Sequence, residues 1–307
     1  MALLQRRKFL NASAAALIGG PAVVRAQAGA VSDADWGALS RDARDASYNC
    51  AKAVPESTQI IDGWIKASAQ LRAQYSKHID VPYGPAERNK WDLFPAKNPK
   101  APCLIFIHGG YWQARNREHF SCLAEGILAH GWSAALPGYS LAPAVTLTQI
   151  AAELRSALDW LASHGSEHGI AGPVVLSGWS AGGHLTALML DHPRVAAGIA
   201  MSGLFELGPI RDTYLNERLK LTDQEIVSLS PLRLPSVNKP LAITYGAAEL
   251  MPFVHYSREY HAYRARANFP GPLIPIPNAN HYTSMEELRS PKGILTRTAL
   301  RVLEDAS

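Results

Sequence analysis

The sequence has few cysteines and no internal repeat. Only three cysteines, Cys50, Cys103 and Cys122, occur among the 307 residues, so at most one disulfide can form and a disulfide-held fold is excluded. Cys103 lies inside an apolar run and is expected to be a buried small hydrophobe. The 23 glycines and 21 prolines follow no short period, which excludes collagen and low-complexity chains. No self-similarity at a spacing of about 20 to 50 residues indicates a repeat protein.

The chain also lacks an excess of one charge beyond its first 28 residues. Its formal charge of +4 arises from 30 basic and 26 acidic residues. Four of the bases lie in residues 1–28, which contain no acid: Arg6, Arg7, Lys8 and Arg25. Without them 26 bases face 26 acids, so no nucleic-acid or membrane-surface partner is predicted. The hydrophobic share of 47% is that of an ordinary globular domain.

Residues 1–28 have the pattern of an export signal. A basic segment precedes an apolar stretch over 9–24, and Ala26-Gln27-Ala28 is a small-residue cleavage site. The Arg6-Arg7 pair resembles that of a twin-arginine signal. We expect cleavage after Ala28 and a mature chain in the periplasm or outside the cell. The alternative is an uncleaved anchor, but the apolar stretch is shorter than the ~20 residues that a spanning helix needs.

The remaining residues, 29–307, alternate between helical patterns and short apolar runs. Residues 33–76 have helical character, and 79–95 predict a hairpin around Tyr83-Gly84-Pro85. Apolar runs that end in Gly, Ser or His are typical of strands buried on both faces, and they cover 104–107, 132–136, 174–176, 195–201, 241–245 and 273–276. Between two of them, apolar residues recur at the spacing of one helix face: Ile150, Leu154, Leu158 and Leu161.

This alternation predicts an α/β fold with a mostly parallel central sheet and helices on both faces. The segment 203–239 contains three prolines and interrupts the alternation. We expect it to form a small cap over the strand ends. No linker divides residues 29–307, so a single domain is predicted.

The motif Gly178-Trp179-Ser180-Ala181-Gly182 follows an apolar run and precedes a helical pattern. In a tight strand-to-helix turn the two glycines leave the hydroxyl of Ser180 exposed above the sheet, where it can act as a nucleophile. The alternative is a glycine-rich connection with a solvent-exposed serine. The strand–turn–helix context favours the nucleophile.

A nucleophilic serine needs a base and an orienting acid, which follow it in the chain in this type of fold. His281, just after the last apolar run, is the predicted base. His255 and His261 lie in a helical stretch and are expected to be surface or packing residues, and His192 follows the helix after Ser180 and is not expected to reach back to it. Glu249 follows the run 241–245 and is the predicted acid, with Asp191 and Asp212 as rivals. A carboxylate there would fix the histidine tautomer.

The segment His108-Gly109-Gly110-Tyr111-Trp112 follows the run 104–107, where a loop that binds an oxyanion is expected. We assign the backbone N–H donors to Gly110, Tyr111 and Ala181. His108 is expected to brace this loop, and His184 to be a packing residue. No metal-ligand spacing or nucleotide-binding glycine motif is present in the sequence, so no metal and no cofactor is predicted. Trp112, Trp179 and Tyr282 are the expected substrate contacts.

Taken together, His108-Gly109-Gly110-Tyr111-Trp112 and Gly178 to Leu185 resemble the kynurenine formamidase group of α/β-hydrolases, near the esterases that are similar to hormone-sensitive lipase. The resemblance extends from about residue 40 to the C-terminus, although formamidases commonly carry His at the position of Trp179. It implies the α/β-hydrolase fold and hydrolysis of an aryl formamide, such as N-formylkynurenine, or of a small ester through an acyl-serine.

Two alternatives to this function stay open. One is a general carboxylesterase that takes longer acyl chains, and an exported enzyme would meet external esters and amides. The other is a non-catalytic binding protein on the same fold, since a fold does not prove a function. The sequence leaves the oligomeric state and any movement of 203–239 open.

Overall fold

A computed structural model describes residues 33–269 and 271–306 of the chain. These residues contain an eight-stranded sheet with the order β1-β2-β4-β3-β5-β6-β7-β8. The strands are β1 (Val81–Pro82), β2 (Lys90–Phe94), β3 (Cys103–Ile107), β4 (Ser133–Pro137), β5 (Val174–Trp179), β6 (Val195–Met201), β7 (Leu241–Gly246) and β8 (Leu273–Ile276). Each of the six predicted apolar runs falls on a strand, β3 to β8.

The sheet is mostly parallel. The pairs β1–β2 and β2–β4 are antiparallel, and the pairs from β4 to β8 are parallel. The antiparallel β1–β2 pair is the predicted hairpin. Ile107 pairs with Gly178, and Trp179 pairs with Met201, so the carboxyl ends of β3, β5 and β6 meet at one edge of the sheet. In a sheet of this kind, ligands bind at that edge.

Helices cover both faces of the sheet, as predicted. They are α1 (Asp33–Ala38), α2 (Arg41–Ser47), α3 (Cys50–Ala53), α4 (Ser57–Gln74), α5 (Glu125–Leu128), α6 (Leu147–His164), α7 (Ala181–Leu188), α8 (Gly208–Arg211), α9 (Asn216–Leu219), α10 (Asp223–Leu229), α11 (Met251–Arg266), α12 (Glu286–Arg289) and α13 (Ile294–Glu304). Thr146 and Gln149 form a capping box at the start of α6, which satisfies two free N–H groups of the first turn. The four apolar residues that predict α6 are all buried.

Burial of the strands follows the sequence pattern except at one edge. Strands β3, β4, β5 and β7 are buried along their whole length. Strand β8 is only partly buried, although its apolar run predicts burial on both faces. It lies at the end of the sheet, and among the strands that the structure describes it pairs only with β7, so one edge of the strand is left without a described neighbour.

The segment 203–239, which the sequence predicts as a cap, contains the short helices α8 to α10 and a 3₁₀ turn at Pro231–Arg233. It is tied to the loop after β3, because the Gln113 side-chain amide donates to the Leu215 carbonyl at 3.1 Å. The Tyr214 N–H donates to Asp45 Oδ1 at 2.7 Å. The segment therefore lies beside the carboxyl edge of the sheet.

Three further observations concern the sequence predictions. Cys50, Cys103 and Cys122 are all buried free thiols. Among the helices of the described residues, none has both the length and the apolar composition needed to cross a bilayer. The predicted export signal at 1–28 lies outside the described residues.

Candidate active site

Ser180 occupies a sharp turn between β5 and α7. Its φ of 58° and ψ of −118° lie in a region that non-glycine residues rarely adopt. The turn is tight because a Cβ at Gly178 would collide with the Gly182 carbonyl, and a Cβ at Gly182 would collide with the Ile107 carbonyl. The Ser180 N–H donates to the Met201 carbonyl at 2.8 Å. The backbone thus holds the serine at the carboxyl edge of the sheet, at the N-terminus of α7.

His281 and Glu249 lie together at the same edge. The distance from His281 Nδ1 to Glu249 Oε2 is 2.7 Å, and the Glu249 side chain has no exposed surface. A carboxylate at this distance accepts a hydrogen bond from Nδ1–H and leaves Nε2 able to take a proton from another group. Ser180 and His281 line one cavity, so the structure brings the three predicted residues together.

The second oxygen of Glu249 is also fully engaged. Oε1 accepts a hydrogen bond from the Ser202 hydroxyl and one from the Gly246 N–H, each at 2.6 Å. Ser202 follows β6 directly and has a φ of 49°. It is a functional candidate that the sequence reasoning missed. Its position after an apolar run that ends at the same sheet edge is the signal that could have identified it.

The rival acids and histidines lie elsewhere. Asp191 pairs with Arg155 at 2.8 Å, and Asp212 is 3.8 Å from Arg211. The other histidines have partners of their own: His192 with Asp159, His255 with Glu259, and His261 with the Gly271 carbonyl. None of these five residues lines the cavity that contains Ser180 and His281.

The loop after β3 passes directly beside the serine. A Cβ at Gly109 would lie 2.8 Å from the Trp179 carbonyl oxygen and 3.0 Å from Ser180 Cβ. Gly110 has a φ of 119° and Tyr111 a φ of 51°, which turns the chain sharply there. The Gln113 and Ala114 N–H groups close the turn by donating to the Gly110 carbonyl at 3.1 and 3.0 Å.

This geometry leaves the predicted oxyanion donors available. Within the described part of the chain, the N–H groups of Gly110, Tyr111 and Ala181 donate no hydrogen bond to another residue. The Tyr111 hydroxyl donates to the Tyr48 carbonyl at 2.6 Å, which anchors the loop. N–H groups that are fixed and unpaired beside a nucleophile can donate hydrogen bonds to an oxygen that becomes negatively charged, without rearranging.

His108 lies beneath this loop rather than in the cavity. It is buried, its Nδ1 is 2.7 Å from the Gly109 carbonyl oxygen, and its ring stacks on Tyr139 at 4.3 Å. Burial lowers the pKa of His108 to about 3, so the ring is neutral near pH 7. These contacts are those of a residue that braces the loop.

His184 in α7 is also buried, with Nε2 at 2.7 Å from the Leu229 carbonyl oxygen. Burial lowers its pKa to about 4. The residues that the structure describes contain no group of three or more His, Cys, Asp or Glu side chains that could hold a metal ion.

The cavity in front of Ser180 has a volume of about 170 Å³ and an aromatic wall. Its lining consists of Asn49, Cys50, Ala51, Gly110, Tyr111, Ala114, Arg115, Trp179, Ser180, Tyr214, His281 and Tyr282. Two predicted substrate contacts, Trp179 and Tyr282, are part of it. The Trp179 indole N–H also donates to the His281 carbonyl at 2.9 Å, so this side chain helps to fix the histidine.

The prediction that Trp112 contacts substrate is wrong. Trp112 is completely buried and its ring packs edge-on against His184 at 5.0 Å. The positive φ values at Tyr111 and Trp112 reverse the chain, so Tyr111 faces the cavity while the indole of Trp112 points into the core. A larger cavity of about 420 Å³ elsewhere is lined by residues such as Arg155, Asp191 and Tyr260 and includes neither Ser180 nor His281.

Comparisons with known proteins agree with this architecture. A sequence model of the BD-FAE family matches residues 92–193. The kynurenine formamidase of Danio rerio is 26% identical over 88% of this chain and 98% of its own length. That of Salmo salar is 28% identical over 73% of this chain and 81% of its own length. A Silicibacter sp. crystal structure, of a protein proposed to be a thioesterase, has a TM-score of 0.74 at 27% identity and covers 83% of this chain and 98% of its own.

The fold and these similarities define a hydrolytic enzyme with the α/β-hydrolase fold. Within that class, the chain is similar over most of its length to the kynurenine formamidases, as its sequence motifs imply.

Proposed function

We propose that this enzyme is a serine hydrolase that cleaves a small aryl formamide or carboxylic ester through an acyl-serine. The observation that carries the proposal is the combination of Ser180, the hydrogen-bonded pair His281–Glu249 and unpaired loop N–H groups around one cavity. Acyl transfer requires a nucleophile, an oriented base and an oxyanion site, and these three features supply them in that order.

In the first half-reaction, Ser180 Oγ attacks the substrate carbonyl carbon while His281 Nε2 takes the hydroxyl proton. Glu249 holds the Nδ1 proton and stabilises the imidazolium that forms. The N–H groups of Gly110, Tyr111 and Ala181 donate hydrogen bonds to the carbonyl oxygen as it becomes negatively charged. The bond to the leaving group then breaks, and His281 gives its proton to the departing amine or alcohol.

In the second half-reaction, a water molecule attacks the acyl-serine. His281 takes a proton from the water, and the collapse of the second tetrahedral intermediate breaks the bond to Oγ. The proton returns to Ser180 Oγ, and formate or another carboxylic acid leaves. No cofactor is needed for either half.

The size of the cavity favours small acyl groups. Its volume is about 170 Å³, and Trp179 and Tyr282 are almost fully buried beside Ser180 and His281. The aromatic wall suits the aryl part of a formamide or of a phenyl ester. The relatives named kynurenine formamidase support an aryl formamide as one substrate class.

A substrate panel tests this proposal. We expect kcat/KM for formanilides and phenyl acetates to exceed that for phenyl esters of acyl chains of eight or more carbons by at least about tenfold, since each misplaced methylene costs measurable transition-state binding. A preference for the long chains would instead support the general carboxylesterase. Failure of a fluorophosphonate probe to label the folded protein at Ser180 would favour a binding protein.

We also propose that residues 1–28 direct export and are removed, as their basic, apolar and small-residue segments indicate. The experiment is expression of the full chain in a bacterial host, followed by fractionation and N-terminal sequencing. We expect the active protein outside the cytoplasm with a new N-terminus at Gly29. An intact N-terminus in the cytoplasmic or membrane fraction would contradict the proposal.

A further inference from the structure

The cavity in front of Ser180 contains one arginine, Arg115, at the end of the loop that follows β3. The Arg115 backbone has a φ of 76°, which is unfavourable for a side chain of this size. It is held there because the Arg115 carbonyl accepts a hydrogen bond from Arg88 Nη2 at 2.7 Å. The side chain lies against Gly110, where an added Cβ would come within 3.0 Å of Arg115 Cγ. Arg115 is thus fixed beside a proposed oxyanion donor.

Within the described part of the chain, the guanidinium of Arg115 differs from those of its neighbours in having no partner. Arg88 donates to the carbonyls of Tyr139 and Arg115. Arg117 is paired with the carboxylates of Asp80 and Asp92. Among residues 33–269 and 271–306, by contrast, no carboxylate lies within 4.0 Å of the Arg115 guanidinium, and its side chain donates no hydrogen bond. A half-buried cation without a partner is a ready site for an anion.

No negative charge within the cavity competes for this cation. The residues that line the cavity include no Asp or Glu. Glu249 lies behind His281 and uses both of its oxygens on His281, Ser202 and Gly246. Burial raises the pKa of Tyr282, another residue that lines the cavity, to about 12, and the positive charge of Arg115 opposes that rise.

We propose that Arg115 binds a carboxylate on the substrate and makes the enzyme selective for acid-bearing esters or aryl formamides. This inference rests on the proposed function of Ser180. The planar guanidinium offers two parallel N–H donors that match the two oxygens of a carboxylate. In a formamide the acyl part is a single carbon, so the carboxylate belongs to the leaving amine. Arg115 then orients the leaving group while the N–H groups of the adjacent loop bind the carbonyl oxygen.

Paired substrates test the proposal. The pairs are acetoxybenzoate against acetoxybenzamide and formamidobenzoate against formamidobenzamide, which differ in charge and little in size. The readout is the ratio of kcat/KM for the acid to that for the amide, measured separately in each variant, so that general losses of activity or folding cancel. We expect the parent enzyme to prefer the acid, and this ratio to fall about 30-fold in Arg115→Gln, as for a lost charge-assisted pair.

Two further variants separate the geometry of the Arg115 guanidinium from its charge and from a general change in charge. Arg115→Lys keeps the charge but loses the bidentate geometry, so its ratio should lie between those of the parent and Arg115→Gln. Arg266→Gln removes the same charge from an exposed residue outside the cavity and should keep the parent ratio. Equal ratios in the parent and Arg115→Gln, or a parent preference for the amides, would overturn the proposal.

The outcome can be separated from a failure of the proposed hydrolysis. If the parent protein cleaves neither member of a pair, the hydrolytic function is what fails. Binding of benzoate and benzamide is then measured by calorimetry on the parent and on Arg115→Gln. Benzoate binding that is at least tenfold weaker in the variant supports the carboxylate site, and unchanged benzoate binding contradicts it.

Discussion

Replacement of Ser180 by alanine is expected to abolish hydrolysis, with a loss on the order of 10⁶-fold in kcat, the size seen when the nucleophile of a serine hydrolase is removed. The fold should survive, because Ser180 Oγ makes no hydrogen bond to any described residue and the turn is held by the Ser180 N–H and the surrounding glycines. Turnover of phenyl acetate measures the first effect, and the thermal unfolding midpoint measures the second.

Covalent labelling provides the matched control for this variant. A fluorophosphonate probe should label the parent protein and Ser228→Ala, since Ser228 is an exposed serine whose hydroxyl donates to the Gln224 carbonyl at 2.8 Å. It should not label Ser180→Ala. Turnover close to the parent rate in a folded Ser180→Ala protein would remove Ser180 from the mechanism, and labelling of that variant would locate the nucleophile at another residue.

The sheet is predictable from the sequence because its interior strands are buried on both faces. A strand such as β5 is buried along its whole length, so a short apolar run such as Val174-Val175-Leu176 predicts it directly. The exception, β8, shows the limit of this reasoning. Its run is as apolar as the others, but its neighbours in the sheet depend on strand order, which no local pattern contains.

The candidate site is predictable wherever residue type and strand end coincide. Ser180, Glu249 and His281 each follow an apolar run, and parallel strands place their carboxyl ends at one edge. Trp112 could not be predicted in the same way, because the direction of its side chain depends on two consecutive positive φ values in an irregular loop. Ser202 shares the strand-end signal, since it follows β6 directly. Arg115 does not, because its backbone is held by a hydrogen bond from Arg88, and neither periodicity nor spacing encodes such a contact between separate segments.

Replacement of Glu249 by glutamine is expected to lower kcat on the order of 10⁴-fold, as for a comparable carboxylate-to-amide change beside a catalytic histidine. Oε1 of the new amide can still accept from Ser202 and Gly246, which should preserve the structure. The amide nitrogen would then face His281 Nδ1 across the present 2.7 Å contact. Since that nitrogen donates, it favours the tautomer with the proton on Nε2, which cannot take a proton from Ser180.

Two milder variants distinguish the orientation of His281 by Glu249 from a packing role of the Glu249 side chain. Ser202→Ala removes one of the two bonds to Glu249 Oε1 but leaves the bond to His281, so a loss of only about tenfold in kcat is expected, the worth of one hydrogen bond to a charged group. Glu249→Asp should fall between these two variants, because a side chain one methylene shorter stretches the bond to Nδ1. The kcat values of the three variants should therefore decrease in the order Ser202→Ala, Glu249→Asp, Glu249→Gln. Thermal unfolding midpoints check that each variant is folded.

The rival acids supply the decisive control for Glu249. Asp191 and Asp212 are partly exposed, and each lies near an arginine rather than His281. Their asparagine variants remove the same charge as Glu249→Gln and should keep kcat within about twofold of the parent, since surface substitutions away from a site have small effects. A loss of several orders of magnitude in either asparagine variant, together with near-parental kcat in Glu249→Gln, would transfer the orienting role to that aspartate while leaving Ser180 and His281 in place.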